Sequence, residues 1–238
     1  MPSSDNAWAV IVAAGESRRF GRREPKQLAS LAGKPLLLHA LEPFREHSQI
    51  AGVTLVLPQR IRRDLPDWLG GLESKGVRLA TGGPTRTDSV RLGLASIPRQ
   101  VEIVAIHDGA RPLITAAGID RVLAEVSDAR GAIAGRRMTD SLKEVNGERR
   151  IVRSLGRDGI WVAETPQAFP RALIDEVHRR AHSEGATTSD CAALFERYGF
   201  PIVMVELEEP NLKITRPADL ELAEAWIRRS ERRDPHCL

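Results

Sequence analysis

The chain has 238 residues, 42% apolar and 28% charged, with a net charge of +3. That balance belongs to one ordinary globular domain and excludes disordered and fibrous classes. Two cysteines, Cys191 and Cys237, with no CxxC pair, exclude a disulfide framework and the common zinc signatures. The N-terminus lacks a basic-then-apolar leader, and no run of 18 apolar residues occurs, so a cytoplasmic protein without a membrane span is expected.

Residues 8–14 (WAVIVAA) form a short, continuous, β-branched run, the pattern of a strand buried on both faces. A helix is predicted over 35–47, with Pro35 in its first turn. Strands follow over 53–57, stopped by Pro58, and over 77–80, before Gly82-Gly83-Pro84. A helix over 85–97 leads to a strand over 103–107 that runs into Asp108-Gly109. The next helix, 115–127, places Ile119, Val122, Leu123 and Val126 on one face. A strand over 132–135 precedes helices over 170–184 and 188–198, the second capped by Thr188 or Ser189. A strand over 202–205, a helix over 217–229 and a frayed basic tail over 230–238 close the chain. Strands alternating with helices predict an α/β domain over 1–238: a mostly parallel central sheet with helices on both faces. Residues 139–160 break the rhythm. They are polar and carry an Asn146-Gly147 turn, which predicts a protruding β-hairpin arm whose open edges serve a dimer contact.

Charge is unevenly placed. Residues 228–238 carry four basic and two acidic side chains and read as a solvated terminus. Residues 16–26 (ESRRFGRREPK) carry five basic and two acidic side chains in a loop directly after an apolar strand, a position that points to an anionic ligand. Ala13, Ala14 and Gly15 are small enough for close backbone approach. Successive N–H groups in such a turn form an anion-binding concavity. Arg19 adds a fixed fork and Lys26 a mobile point charge, a pair suited to a polyphosphate. The loop matches neither GxxxxGK[ST] nor GxGxxG, and a solvated basic turn is its alternative reading. With aromatics at 4% and no basic stripe interleaved with stacking residues, nucleic acid is not an expected partner.

Further motifs follow in order: Gly82-Gly83-x-x-Arg86-x-x-Ser89-Val90, then His107-Asp108-Gly109-Ala110-Arg111-Pro112 and Asp140-Ser141-Leu142-Lys143. Thr165-Pro166-Gln167 and Asn211-x-Lys213-x-Thr215-Arg216-Pro217 complete the series. Together with Ala13-Ala14-Gly15 and Pro25-Lys26-Gln27, it resembles the 2-C-methyl-D-erythritol 4-phosphate cytidylyltransferases, over residues 8–229. The resemblance implies a single Rossmann-like nucleotidyltransferase domain. It also implies CTP and methylerythritol phosphate as substrates, magnesium as cofactor, and a homodimer formed through the 139–160 arm. The attacking group would be a phosphate monoester with a second pKa of about 6, already ionised at neutral pH, so no general base is required. The demand is alignment and stabilisation of negative charge.

By the same resemblance, Arg19 and Lys26 stabilise the transferring phosphate. Ala13, Ala14 and Gly15 hold the nucleotide, and Gly83 and Ser89 select cytosine; read alone, Gly82-Gly83 is a turn and Ser89 a helix-surface hydroxyl. Asp108, at a strand end where ligands bind in open α/β sheets, contacts magnesium and substrate. Arg157 and Lys213 position the polyol phosphate; Arg157 lies on the far limb of the arm, and if that arm crosses to a second subunit the site is completed in trans. Arg111 either pins the nearby loop or reaches substrate. Ser141 and Thr165 either donate to substrate or make local bonds. His107 reads as a packed strand residue, Asp190 as a helix N-terminal charge and Cys191 as a small helix-face residue.

The chain departs from the family pattern at Ser17 (usually a second Gly), Leu28 (usually aromatic), Cys191 (commonly acidic) and Leu207 (usually Gly). Ribitol 5-phosphate as the polyol, another nucleotide, or a non-catalytic protein binding through its basic loop are the competing readings.

Overall fold

The structure is a computed structural model that describes residues 7–15, 20 and 25–233. β1 (Ala7–Val12) lies at its centre. Its side chains alternate between two apolar layers, Ala7, Ala9 and Ile11 into one, Trp8 and Val10 into the other, which is why the run has no polar face. After a short 3-10 helix at Lys26–Leu28 come β2 (Ser30–Leu31), β3 (Lys34–Pro35), α1 (Leu36–Arg45), β4 (Ile50–Leu57), α2 (Gln59–Arg63) and α3 (Asp67–Glu73). Next are β5 (Val77–Thr81), α4 (Arg86–Leu94), β6 (Ile103–Asp108), α5 (Ala116–Ala124) and β7 (Gly131–Arg137). The arm holds β8 (Leu142–Val145) and β9 (Ile151–Leu155). The chain then continues through β10 (Trp161–Pro170), α6 (Arg171–Glu184), α7 (Cys191–Arg197), β11 (Ile202–Glu206) and α8 (Pro217–Arg233).

The seven-stranded sheet has the order β11-β7-β10-β6-β1-β4-β5. β10 is antiparallel to both of its neighbours; every other pairing in this sheet is parallel. α1, α3 and α5 cover one face with Leu37, Leu41, Leu69, Ile119 and Val122. On the other, α4, α6 and α7 pack Val90, Leu94, Ile174, Val177 and Phe195. The expected parallel sheet with helices on both faces is therefore present. A third cluster, with Leu31, Leu36, Ile214, Leu220 and Ala223, docks α8 beside the sheet.

Four local expectations need correction. The sequence does not suggest β10, because Glu164, Thr165 and Gln167 look polar; they are buried here, each against a specific polar partner. The arm is a hairpin as expected, but its chain reversal is longer than a two-residue Asn-Gly turn. The Asn146 side chain accepts from the N–H groups of Glu148 and Arg150 at 3.0 Å, and Arg149, not Gly147, takes the positive φ. α7 is capped by Asp190, whose carboxylate accepts from Ala193 N at 2.9 Å, and not by Thr188 or Ser189. α8 runs to Arg233, so residues 230–233 are helical and not frayed; 234–238 lie outside the described residues.

Candidate active site

The carboxyl ends of β1, β4, β5 and β6 open into one cavity of about 880 Å³. The backbone after β1 is held by the sheet itself: Ala13 N donates to Val56 O at 2.8 Å, and Gly109 N donates to Val12 O at 2.9 Å. Ala13, Ala14 and Gly15 line the cavity as the sequence predicts. Gly82 lies against this loop so closely that a Cβ there would collide with Cβ of Ala14 and come within 2.9 Å of Ser89 Oγ. Ser89 is buried; its hydroxyl donates to Thr85 O at 2.9 Å and accepts from Gly83 N at 3.2 Å. It is thus no helix-surface hydroxyl but the tie that shapes the Gly82-Gly83 turn at the cavity wall. Thr85 caps α4, accepting from Asp88 N at 3.0 Å.

The charged wall joins distant segments. Lys26 Nζ donates to Ile214 O at 2.9 Å. Asp108, at the end of β6, accepts from Arg86 on Oδ1 at 3.1 and 3.3 Å and from Lys213 on Oδ2 at 2.6 Å. Burial alone would raise its pKa, but the Arg86 guanidinium and the Lys213 ammonium hold the carboxyl well below the usual range. The spacing of the Gly82-Gly83-x-x-Arg86 motif does not reveal this role for Arg86. It also faces the buried Cys191 thiol at 3.7 Å, and burial pushes that thiol's pKa up, so Cys191 is no nucleophile in this setting.

Arg111 and Thr165 are buried and do not line the cavity. Arg111 Nη1 donates to Asn211 O at 2.6 Å and stands 3.7 Å from the Glu164 carboxylate, so it pins the loop that carries Lys213 and does not reach toward ligand. Thr165 Oγ1 accepts from Asp108 N at 3.1 Å and bonds His107 Nδ1 at 3.0 Å, which are the local bonds of its alternative reading. His107 is packed as expected, tilted against Phe44 with ring centroids 4.9 Å apart; burial depresses its pKa to about 4. Ser141 and Arg157 are exposed on the arm and outside the cavity of their own chain; Arg157 Nη1 donates to Thr139 O at 2.6 Å. Arg19 and the departure at Ser17 lie outside the described residues, as does Cys237.

Asp108, which the resemblance offers to magnesium, has both carboxylate oxygens engaged by cations. Among the described residues no group of three His, Cys, Asp or Glu side chains is placed to hold a metal. A divalent ion on Asp108 would stand against Arg86 and Lys213, so these residues do not fit a resident magnesium ion.

The profile of the 2-C-methyl-D-erythritol 4-phosphate cytidylyltransferase family matches residues 7–229, which includes every cavity segment just described. The chain belongs to that family. A cytidylyltransferase of this name from Aquifex aeolicus is 41% identical over 215 residues, covering 90% of this chain and 94% of the relative. A bifunctional enzyme from Desulfotalea psychrophila is 36% identical over 97% of this chain, which spans only 58% of that relative's length. The crystal structure of the Thermus thermophilus 2-C-methyl-D-erythritol 4-phosphate cytidylyltransferase superposes with a TM-score of 0.77 at 32% identity. It covers 92% of this chain and 98% of the other. Among the described residues, no helix of this cytidylyltransferase-family chain is long and apolar enough to cross a membrane.

Proposed function

We propose that this protein transfers CMP from CTP to 2-C-methyl-D-erythritol 4-phosphate, releasing pyrophosphate, as a cytoplasmic enzyme of small phosphorylated substrates and not of nucleic acid. A phosphate oxygen of the polyol phosphate attacks the α-phosphorus in line. A new P–O–P link forms as the bond to the β-phosphate oxygen breaks, and pyrophosphate leaves with that electron pair. The supporting observation is one cavity in which the Ala13–Gly15 backbone, Lys26 and the Arg86–Asp108–Lys213 cluster converge. Lys26, with Arg19, stabilises charge on the transferring phosphate; Lys213 receives the polyol phosphate. Magnesium belongs in this reading with the incoming triphosphate, as part of the substrate.

The homodimer belongs here too. Five of the six exposed large apolar side chains among the described residues lie on or beside the arm: Val145, Ile151, Val152, Leu155 and Ile160. An apolar strip of that kind calls for a partner, and a second copy of the chain would bring Arg157 and Ser141 to the cavity they lack in cis.

Pyrophosphate release with CTP and magnesium, run in parallel with methylerythritol phosphate and ribitol 5-phosphate, tests the reaction, with Lys26→Ala as the control. Turnover of the first substrate that Lys26→Ala loses is the expected result; turnover of ribitol phosphate alone would move the polyol assignment. For the arm, Arg157→Ala and Lys213→Ala proteins should each be inactive. Mixed under subunit exchange they should recover about a quarter of wild-type activity, since half of the dimers carry one intact composite site. No recovery despite exchange would place Arg157 in its own chain's site.

A further inference from the structure

The Pro25-Lys26-Gln27 motif contributes more to this cavity than a lysine. Gln27 is only 2% exposed, and its side-chain amide nitrogen donates twice, to Ala13 O at 2.7 Å and to Gly15 O at 2.8 Å. An amide NH2 group has two hydrogens, and here both are spent on carbonyls of the same three-residue loop. A trans peptide carries its C=O and N–H on opposite sides, so gripping the Ala13 carbonyl turns the Ala14 N–H away from Gln27. The turn of 3-10 helix that carries Gln27 is closed by Leu28 N to Pro25 O at 2.9 Å and Ala29 N to Lys26 O at 3.1 Å. The residue before it, Lys26, reaches across to Ile214 O. One short turn therefore touches the loop after β1 through Gln27 and the Lys213 segment through Lys26.

We propose that Gln27 is a positioning residue for nucleotide binding: its amide sets the peptide orientation of the Ala13–Gly15 loop and registers that loop against Lys26. It touches no reacting atom. Without its two donors the carbonyls of Ala13 and Gly15 lose their partners, and the loop is free to turn acceptor oxygens toward an incoming triphosphate. That orientation would repel the ligand.

The inference rests on the reading of this cavity as a nucleotide site. The probe is CTP with magnesium, titrated calorimetrically into the full-length wild type, Gln27→Met and Gln27→Glu. Met keeps the packing and removes both donors; Glu keeps the length and sets a carboxylate against two carbonyls. Both variants should bind CTP about 10- to 30-fold more weakly, the ratio that two hydrogen bonds of ordinary net strength represent. The KM for the polyol phosphate, read from pyrophosphate release, should stay within about twofold. Gln27→Met binding CTP like the wild type, or both substrates weakening equally, would overturn the positioning role. Wild type that fails to bind CTP would instead sink the nucleotide reading. Should the variants not fold, hydrogen exchange of the Gln27 side-chain amide in the wild type reads the same clamp. Protection that deepens with CTP supports it, and exchange at the rate of a solvated amide refutes it.

Discussion

Asp108 holds two cations at once, and this sets the electrostatics of the cavity before any substrate arrives. With Arg86 at 3.1 Å and Lys213 at 2.6 Å, the cluster keeps a net positive charge while fixing the direction of each cation. Asp108→Asn removes the charge that pairs them. Arg86, largely buried, then loses its carboxylate partner, so stability should fall by about 2–3 kcal/mol in urea unfolding. Activity should fall at least about tenfold in kcat/KM for the polyol phosphate, through Lys213, with a smaller change in KM for CTP. Gly82→Ala tests a second residue-scale constraint. Its Cβ has no room beside Ala14 and Ser89, so it should weaken CTP binding at least about tenfold, measured by calorimetry, by displacing the loop.

Helix starts decide where several of these groups stand. Thr115 accepts from Gly118 N at 3.1 Å at the head of α5, away from the cavity. Thr115→Ala should cost about 1 kcal/mol in chemical unfolding and leave the KM for CTP unchanged. The arm is a different kind of element. β8 and β9 pair with each other, and Ile151 and Val152 are 66% and 59% exposed, so this ribbon has little core of its own. Ile151→Asp should weaken self-association in sedimentation velocity and lower activity in proportion to the dimer lost. Dimers of full strength would show that this strip is not the contact. Hairpin and arm were legible from the break in polarity and the Asn146-Gly147 pair. The reversal itself was not, because the Asn146 side chain takes two backbone N–H groups and makes the loop longer.

At the scale of the whole molecule, two buried histidines tie folding to pH. Burial depresses His107 and His178 to about 4, below the ordinary value of 6.5. Between those values the unfolded chain binds more protons than the folded one, so stability rises with pH. The contribution is complete above pH 6.5, is lost as pH falls toward 4, and is on the order of 3 kcal/mol per histidine. Melting temperature should therefore decline from pH 7 to pH 5. His178→Leu, which removes one such group from the buried face of α6, should flatten that slope. An unchanged slope would mean that His178 is not held neutral in the fold.

Much of this architecture is local information. The continuous apolar run of residues 8–14, the amphipathic spacing of 115–127 and the breaks at Pro58 and Gly82-Gly83 follow from short-range sterics and burial, and they mark strands, helices and turns in order. The small residues and the basic cluster after the first strand likewise marked the Ala13–Gly15 loop and Lys26, and the strand end marked Asp108, whereas Lys213 was marked only by the family resemblance of its motif. Tertiary structure alone decided what meets what. Lys26 and the segment after Lys213 lie 188 residues apart at their contact, and no local periodicity records strand order. The buried polar strand β10 was invisible for the same reason: Glu164, Thr165 and Gln167 look solvent-bound until Arg111, His107 and Cys191 supply their partners. Burial of a polar group is favourable only where a distant segment completes its hydrogen bonds, and that depends on how the layers pack.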